Sequence, residues 1–176
     1  NTALRAASGI EIEHFRRLFE SAPTKFLVVR PYSYEIVAVS DAYATATLSR
    51  REELVGLTLF EAFPDDPDDT KADGVKNLQE SLRRVETLKT ADAMAVQRYP
   101  VRRPDGTFEE RYWTCVNSPV RGPDGELAYI VHRAEDVTAL YLEPSTSTEI
   151  ERAPLLRDAV SYTMTGRPAV KRNLSD

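Results

Sequence analysis

Six residues are spaced so that they can act together. Trp113, Cys115 and Asn117 stand two apart in a β-rich stretch and share one face of a strand, while Ile130, His132 and Ala134 share one face of the next. An indole, an amide and an imidazole converging on an apolar cavity are the chemistry of a small-molecule site, the aromatic supplying area and the polar groups fixing orientation. The same set suits a filled core in which amide and indole satisfy one another, and the sequence leaves both readings open. Arg111 falls at the rim of this face; Tyr112, Thr114 and Val116 take the other side. His132 admits a structural role, a ligand contact or a metal bond, in that order of preference.

Cys115 and His132 on adjacent strands are also the two halves of a thiolate pair, although a buried inert thiol is the simpler reading. The chain has no nucleophile elbow, no phosphate-binding glycine loop and no paired-cysteine metal spacing, and glycine occurs only seven times. The acidic run of Glu61, Asp65, Asp66, Asp68, Asp69 and Asp73 offers oxygen ligands for a cation. Its spacing fits no EF-hand loop, and acidic residues commonly lead into helices. No metal site is therefore expected.

Composition narrows the classes further. Charged residues are 29% and apolar residues 41% of 176, with a formal charge of −5, the profile of a globular domain with an appendage. That balance argues against nucleic-acid binding, which needs a surplus of cations to neutralise phosphates. A lone cysteine makes no internal disulfide, no apolar run is long enough to span a bilayer, and the first residues lack the cationic and apolar blocks of a signal peptide. A cytoplasmic location is expected, and the start at Asn1 suits a piece of a longer protein.

These residues need elements to position them. Ser8 with Glu11 reads as a capping box for a helix to about Ala22, with an apolar stripe of Ile12, Phe15, Leu18, Phe19 and Ala22. A hairpin follows, Lys25–Arg30 with Glu35–Ser40 across the turn at residues 31–34. Asp41 is expected to cap a short helix through Leu48, and Ser49 with Glu52 a second that Gly56 ends. A longer helix spans Gly74–Leu88, with Val75, Leu78, Leu82, Val85 and Leu88 on one face. Three strands, Ala91–Arg103, Thr107–Val120 and Glu126–Asp136, form a meander through two Pro-Asp-Gly turns. The tail from residue 139 holds the linker-like stretch 144–148 and an amphipathic helix at residues 154–165. The pattern is α+β, a five-stranded antiparallel sheet with helices on one face.

In this order several stretches resemble the PAS family. Phe15–Pro23 resembles its opening helix, and Ile36–Tyr43 the segment after its first hairpin, with Ser40 where many members have Asn. Leu54-Val55-Gly56, Leu59-Phe60 and the turn Arg103–Gly106 fit as well, and Asp136-Val137-Thr138 matches the exit motif. The resemblance covers about residues 10 to 142 and is greatest to PAS modules of bacterial sensor kinases and two-component systems. It divides the chain into an N-terminal helix at 1–23, a core at 24–138 and an exit segment with tail at 139–176.

The resemblance implies a pocket between sheet and helices, with Trp113, Asn117, His132, Cys115, Ile130 and Ala134 facing inward as ligand contacts. It leaves the cofactor unknown. The flavin-adduct subclass has its cysteine in a helix, whereas Cys115 lies in a strand, and the long helix carries no histidine for haem, so neither group is expected. His14 lies off the sticky stripe and reads as a surface residue. The expected function is a sensor that binds a small molecule and relays its presence, not an enzyme; a ligand-free dimerisation module and a small thiol enzyme are the alternatives. Ile12, Phe15 and Phe19 are expected to join a homodimer. Asp136, Val137 and Thr138 are expected to carry the signal to an effector or partner, the Asp136 carboxylate accepting hydrogen bonds from the segment that starts at Val137. Pro144 would break that exit after about two turns.

Overall fold

The computed structural model describes residues 11–142. Helix α1 (Ile12–Glu20) precedes strands β1 (Phe26–Val29) and β2 (Ile36–Val39). Three short helices follow, α2 (Asp41–Ala46), α3 (Arg51–Leu54) and α4 (Leu59–Ala62), then the long helix α5 (Gly74–Leu88). The second half is β-rich: β3 (Asp92–Ala93), β4 (Gln97–Arg98), β5 (Val101–Arg102), β6 (Phe108–Glu109), β7 (Tyr112–Arg121) and β8 (Leu127–Asp136), ending in α6 (Thr138–Leu142).

The antiparallel sheet runs β2-β1-β8-β7-β3, with β4 also on β7. Its order places the last strand beside the first, so residues more than 100 apart in the chain meet at its centre, Leu27 opposite His132 and Val29 opposite Ile130. In β1 the inward residues Leu27 and Val29 are fully buried, as are Ile36 and Val39 of β2. From α5, Leu78, Leu82 and Val85 pack onto this face, a three- and four-residue repeat that makes one helix stripe apolar. Val75 and Leu88 of the expected stripe fall toward its edges, and Leu88 is exposed.

The turn between β1 and β2 is held from a distance. Tyr32 and Tyr34 both adopt positive φ, 66° and 57°, a region that costs a side-chain-bearing residue on the order of 1 kcal/mol. Glu86 of α5 offsets this by accepting hydrogen bonds from the Tyr32 amide at 2.6 Å and the Tyr34 hydroxyl at 3.2 Å.

Several helix starts differ from the sequence expectation. Ser40, not Asp41, caps α2, its hydroxyl accepting from the Tyr43 amide at 3.2 Å, because Asp41 is already the first helical residue and pairs with Arg51. Residue 46, not 48, ends that helix, and Leu48 turns to positive φ. Ser49 and Glu52 form no capping box, since Arg50 is the cap of α3 and the Ser49 hydroxyl donates to the Thr47 carbonyl. The box that exists is Thr58 with Glu61 at α4. For α1, Glu11 is itself the cap and makes no side-chain cap bond; Ser8 and the expected helix at residues 154–165 lie outside the described residues.

Both Pro-Asp-Gly turns form as expected, with Gly106 and Gly125 at φ 87° and 83° closing 2.9 and 3.0 Å turn bonds. The strand expected at Ala91–Arg103 is, however, broken into three. Met94 dips into the core after β3, and beyond β4 Pro100 brings no amide donor, so the chain leaves β7. Its continuation, β5, pairs with β6 in a separate two-stranded sheet. The bent edge contributes Met94, Tyr99 and Val101 to the wall of a cavity.

Candidate functional site

A cavity of about 70 Å³ opens between the concave face of the sheet and the helices. Its walls come from α2 (Tyr43, Thr47), α4 and the following turn (Leu59, Phe63), α5 (Leu78), the bent edge (Met94, Tyr99, Val101), β7 (Trp113, Cys115) and β8 (His132, Ala134). Strand alternation puts Trp113 and Cys115 inward, and register sets Cys115 opposite Ala134 and Asn117 opposite His132.

Four of the six expected contacts therefore line the cavity: Trp113, Cys115, His132 and Ala134. Asn117 and Ile130 do not; both are fully buried behind the wall. The Asn117 amide nitrogen lies 2.7 Å from the Ser81 hydroxyl and its oxygen 2.7 Å from Nδ1 of His132. Ser81 in turn donates to Asp92 at 2.5 Å, and Arg84 clamps Asp92 with two bonds of 2.8 Å. The filled-core alternative in which amide and indole satisfy one another is not realised, because Trp113 Nε1 donates to the Tyr99 carbonyl at 2.9 Å. Arg111 does not reach the cavity either: it pairs with Asp136 and Glu109, and its Nε is buried without a partner among the described residues.

Most polar atoms in the walls are already satisfied within the protein. Tyr99 donates to the Phe63 carbonyl at 2.5 Å, Thr47 to the Tyr43 carbonyl at 3.0 Å, and Gln97 to the Ala95 carbonyl at 2.9 Å. Among the nitrogens and oxygens of the buried wall side chains two are not: within the described residues the Tyr43 hydroxyl and Nε2 of His132 have no hydrogen-bond partner, and their rings meet edge to face at 5.9 Å. Burial pushes Tyr43 well above its ordinary value and lowers His132 to about 4, so both side chains are neutral at pH 7. Burial likewise pushes the Cys115 thiol up to about 12. A thiolate at neutral pH is thereby disfavoured, and no hydrogen bond joins Cys115 to His132.

Sequence reasoning missed Tyr43, Tyr99 and the supporting Ser81. Ser81 had a signal, a polar residue three from Leu78 and four from Val85 on the buried face of α5. Ser40, singled out in the sequence as standing where many PAS members have Asn, is fully buried; it accepts from the amides of Phe26 and Tyr43 and donates to the Thr24 carbonyl at 2.9 Å, fixing α2 and thus Tyr43 against β1.

The exit segment is fastened to the wall strand. Asp136 accepts from the Thr138 amide at 2.9 Å, the Thr138 hydroxyl accepts from the Tyr112 amide at 2.9 Å, and the Val137 amide donates to the Tyr112 carbonyl at 2.8 Å. Tyr141 stacks on Tyr112 with centroids 4.5 Å apart. Burial works to raise the Asp136 carboxyl, but hydrogen bonds from Thr138 and Arg111 outweigh it and hold it below its ordinary value.

A sequence profile of the PAS fold matches residues 19–142. The chain belongs to the PAS family. No curated protein matches it. Among solved structures, it is similar to the PAS domain of a protein from Colwellia psychrerythraea, at 12% identity and a TM-score of 0.53 over 73% of this chain and 98% of that one. It is similar also to a PAS domain from the fruit-fly ELK potassium channel, at 15% and 0.52 over 74% and 99%. A third likeness is to an RNA-binding light-oxygen-voltage receptor, at 17% and 0.54 over 89% of this chain and 40% of that one. Identities this low establish a common fold alone. PAS domains are typically sensory modules without catalysis of their own that signal to effector domains or dimerise, and no described helix of this one is long and apolar enough to cross a membrane.

Proposed function

We propose that this PAS domain is a ligand-binding sensor whose cavity is read out by β7. One observation carries the reading: the strand that presents Trp113 and Cys115 to the cavity is the strand to which Asp136, Val137 and Thr138 bind the exit helix. An occupant that presses on Trp113 moves its neighbour Tyr112, and Tyr112 holds Thr138, Val137 and Tyr141. The proposed output is an effector domain or partner coupled through α6. Neither covalent flavin nor haem is part of the proposal, since a space of about 70 Å³ suits a far smaller molecule. Amide hydrogen exchange tests the relay. Asp136→Ala should leave ligand binding within about threefold, because the carboxylate lies outside the cavity, while exchange beyond Val137 stops responding to ligand. An unchanged response would refute the role of Asp136.

A second reading, a ligand-free dimerisation module, is favoured by α1. Ile12, Phe15 and Leu18 are 89%, 58% and 57% exposed, more apolar surface than a lone helix face usually leaves in water. Phe19, expected in the dimer face, stacks on Phe26 with ring centroids 6.2 Å apart and serves to seat the helix. The dimer is therefore proposed through Ile12, Phe15 and Leu18. Replacing Ile12 and Phe15 by Asp should weaken self-association at least about tenfold by sedimentation, as expected for losing apolar anchors of an interface; an unchanged association constant would exclude this face.

A further inference from the structure

The hydrogen bonds behind the cavity have a direction, and it is set at the surface. Arg84 can only donate, so Asp92 is an ionised acceptor, held below its ordinary value by Arg84 ahead of Ser81 and against burial. The proton of the Ser81 hydroxyl is thus committed to Asp92, at 2.5 Å. The lone pairs of Ser81 must then receive the Asn117 NH₂, which leaves the Asn117 carbonyl facing His132 Nδ1 at 2.7 Å. A carbonyl cannot donate, so Nδ1 carries the hydrogen. A neutral imidazole has one N–H, and Nε2 is left as a bare acceptor on the cavity side.

Across the same wall stands the complementary group, the Tyr43 hydroxyl, which is held protonated and has no acceptor among the described residues. The remaining walls are apolar or self-satisfied, and the one charged side chain among them, Arg102, is exposed at the outer end. Placing an ion beside Trp113, Cys115 and Leu78 would forfeit its hydration without a counter-charge.

Resting on the sensor reading above, we infer that the cavity takes a small neutral molecule bearing one hydroxyl or N–H group, which donates to Nε2 of His132 and accepts from the Tyr43 hydroxyl while its carbon skeleton lies against Trp113. The chain Arg84–Asp92–Ser81–Asn117 acts as the positioning device that keeps His132 in the accepting tautomer.

Five probes of five non-hydrogen atoms test this on the full chain by titration of amide and methyl NMR signals: 1-butanol, methyl propyl ether, pentane, propionate and butylammonium. Butanol should bind about tenfold more tightly than the ether, which cannot donate and strands Nε2, and the ether more tightly than pentane. The two ions should give no saturable shift over the same range. His132→Phe should abolish the preference for alcohol over ether, and Tyr43→Phe the preference for ether over pentane. Should His132→Phe not fold, the ring nitrogen shifts of His132 in the parent decide instead, with Nδ1 protonated and Nε2 of the bare type. Equal affinity for ether and alcohol, binding of either ion as tight as butanol, or a protonated Nε2 would overturn the assignment while leaving the cavity a ligand site. No shift at cavity residues from any of the five would overturn the sensor reading with it.

Discussion

His132 is a weak base held in an environment that refuses its proton. Tyr43 and Cys115 beside it are neutral, Asn117 offers only one carbonyl, and no carboxylate contacts the ring, so burial alone lowers it from 6.5 to about 4. Because the folded state binds this proton less readily than the unfolded chain, the stability tied to His132 is complete above pH 6.5 and falls as pH drops from there toward 4. The loss across that window is on the order of 3 kcal/mol. Urea titrations at pH 7 and pH 4.5 should show it, and His132→Gln, which cannot titrate, should flatten the difference; an equal pH dependence in the two proteins would mean the imidazole is protonated in the fold. At this scale the sequence was half legible. Strand alternation found Trp113, Cys115, His132 and Ala134 because period two is a local property. It could not separate Asn117 and Ile130 from them, since all share the inward face and only the position of α5 decides which residues line space and which lie under it. Tyr43 escaped because its place depends on Ser40 fastening α2 to β1.

The elements were more legible than their ends. The bounds of α5 match the expected Gly74–Leu88, where a long apolar stripe leaves little choice, and the two Pro-Asp-Gly turns fix the meander. What failed was the edge. A run of β-prone residues from Ala91 to Arg103 looks continuous, yet the bend depends on Met94 finding the core and on the Tyr99 ring packing over Gly74, contacts made at long range. A Cβ on Gly74 would stand 2.3 Å from a ring carbon of Tyr99. Tyr99 is pinned at both ends, by its hydroxyl on Phe63 and its carbonyl on Trp113, and cannot swing aside cheaply. Gly74→Ala should therefore cost about 1–3 kcal/mol, as overpacking does, although alanine is the better helix former at an exposed site. It should also shift the side-chain signals of Trp113 and Phe63. Thermal unfolding with parallel NMR spectra checks both, and a neutral or stabilised variant would show that Tyr99 is not rigidly held.

For the molecule as a whole, the chain order matters more than any one contact. The first and last strands of the fold are neighbours, β1 against β8, and the helices that flank them are tied separately: α1 through Phe19 on Phe26 and Glu20 near Arg51, α6 through Tyr112. Such long-range closure was readable only through the family resemblance, since periodicity says nothing about which strands pair. One whole-chain property gives the cavity wall a use of another kind. Trp113 is the only tryptophan in 176 residues, it is 5% exposed, and its ring N–H is held by a carbonyl. Light absorbed at the red edge of the aromatic band, where the eight tyrosines are nearly transparent, excites this one indole. The emission of the entire protein is then a single-site optical signal from inside the cavity, blue-shifted while its surroundings stay dry and quenched or displaced when a polar guest arrives. The domain carries an intrinsic fluorescent reporter at its proposed sensing position, so ligand libraries can be screened on the unlabelled, unmodified chain.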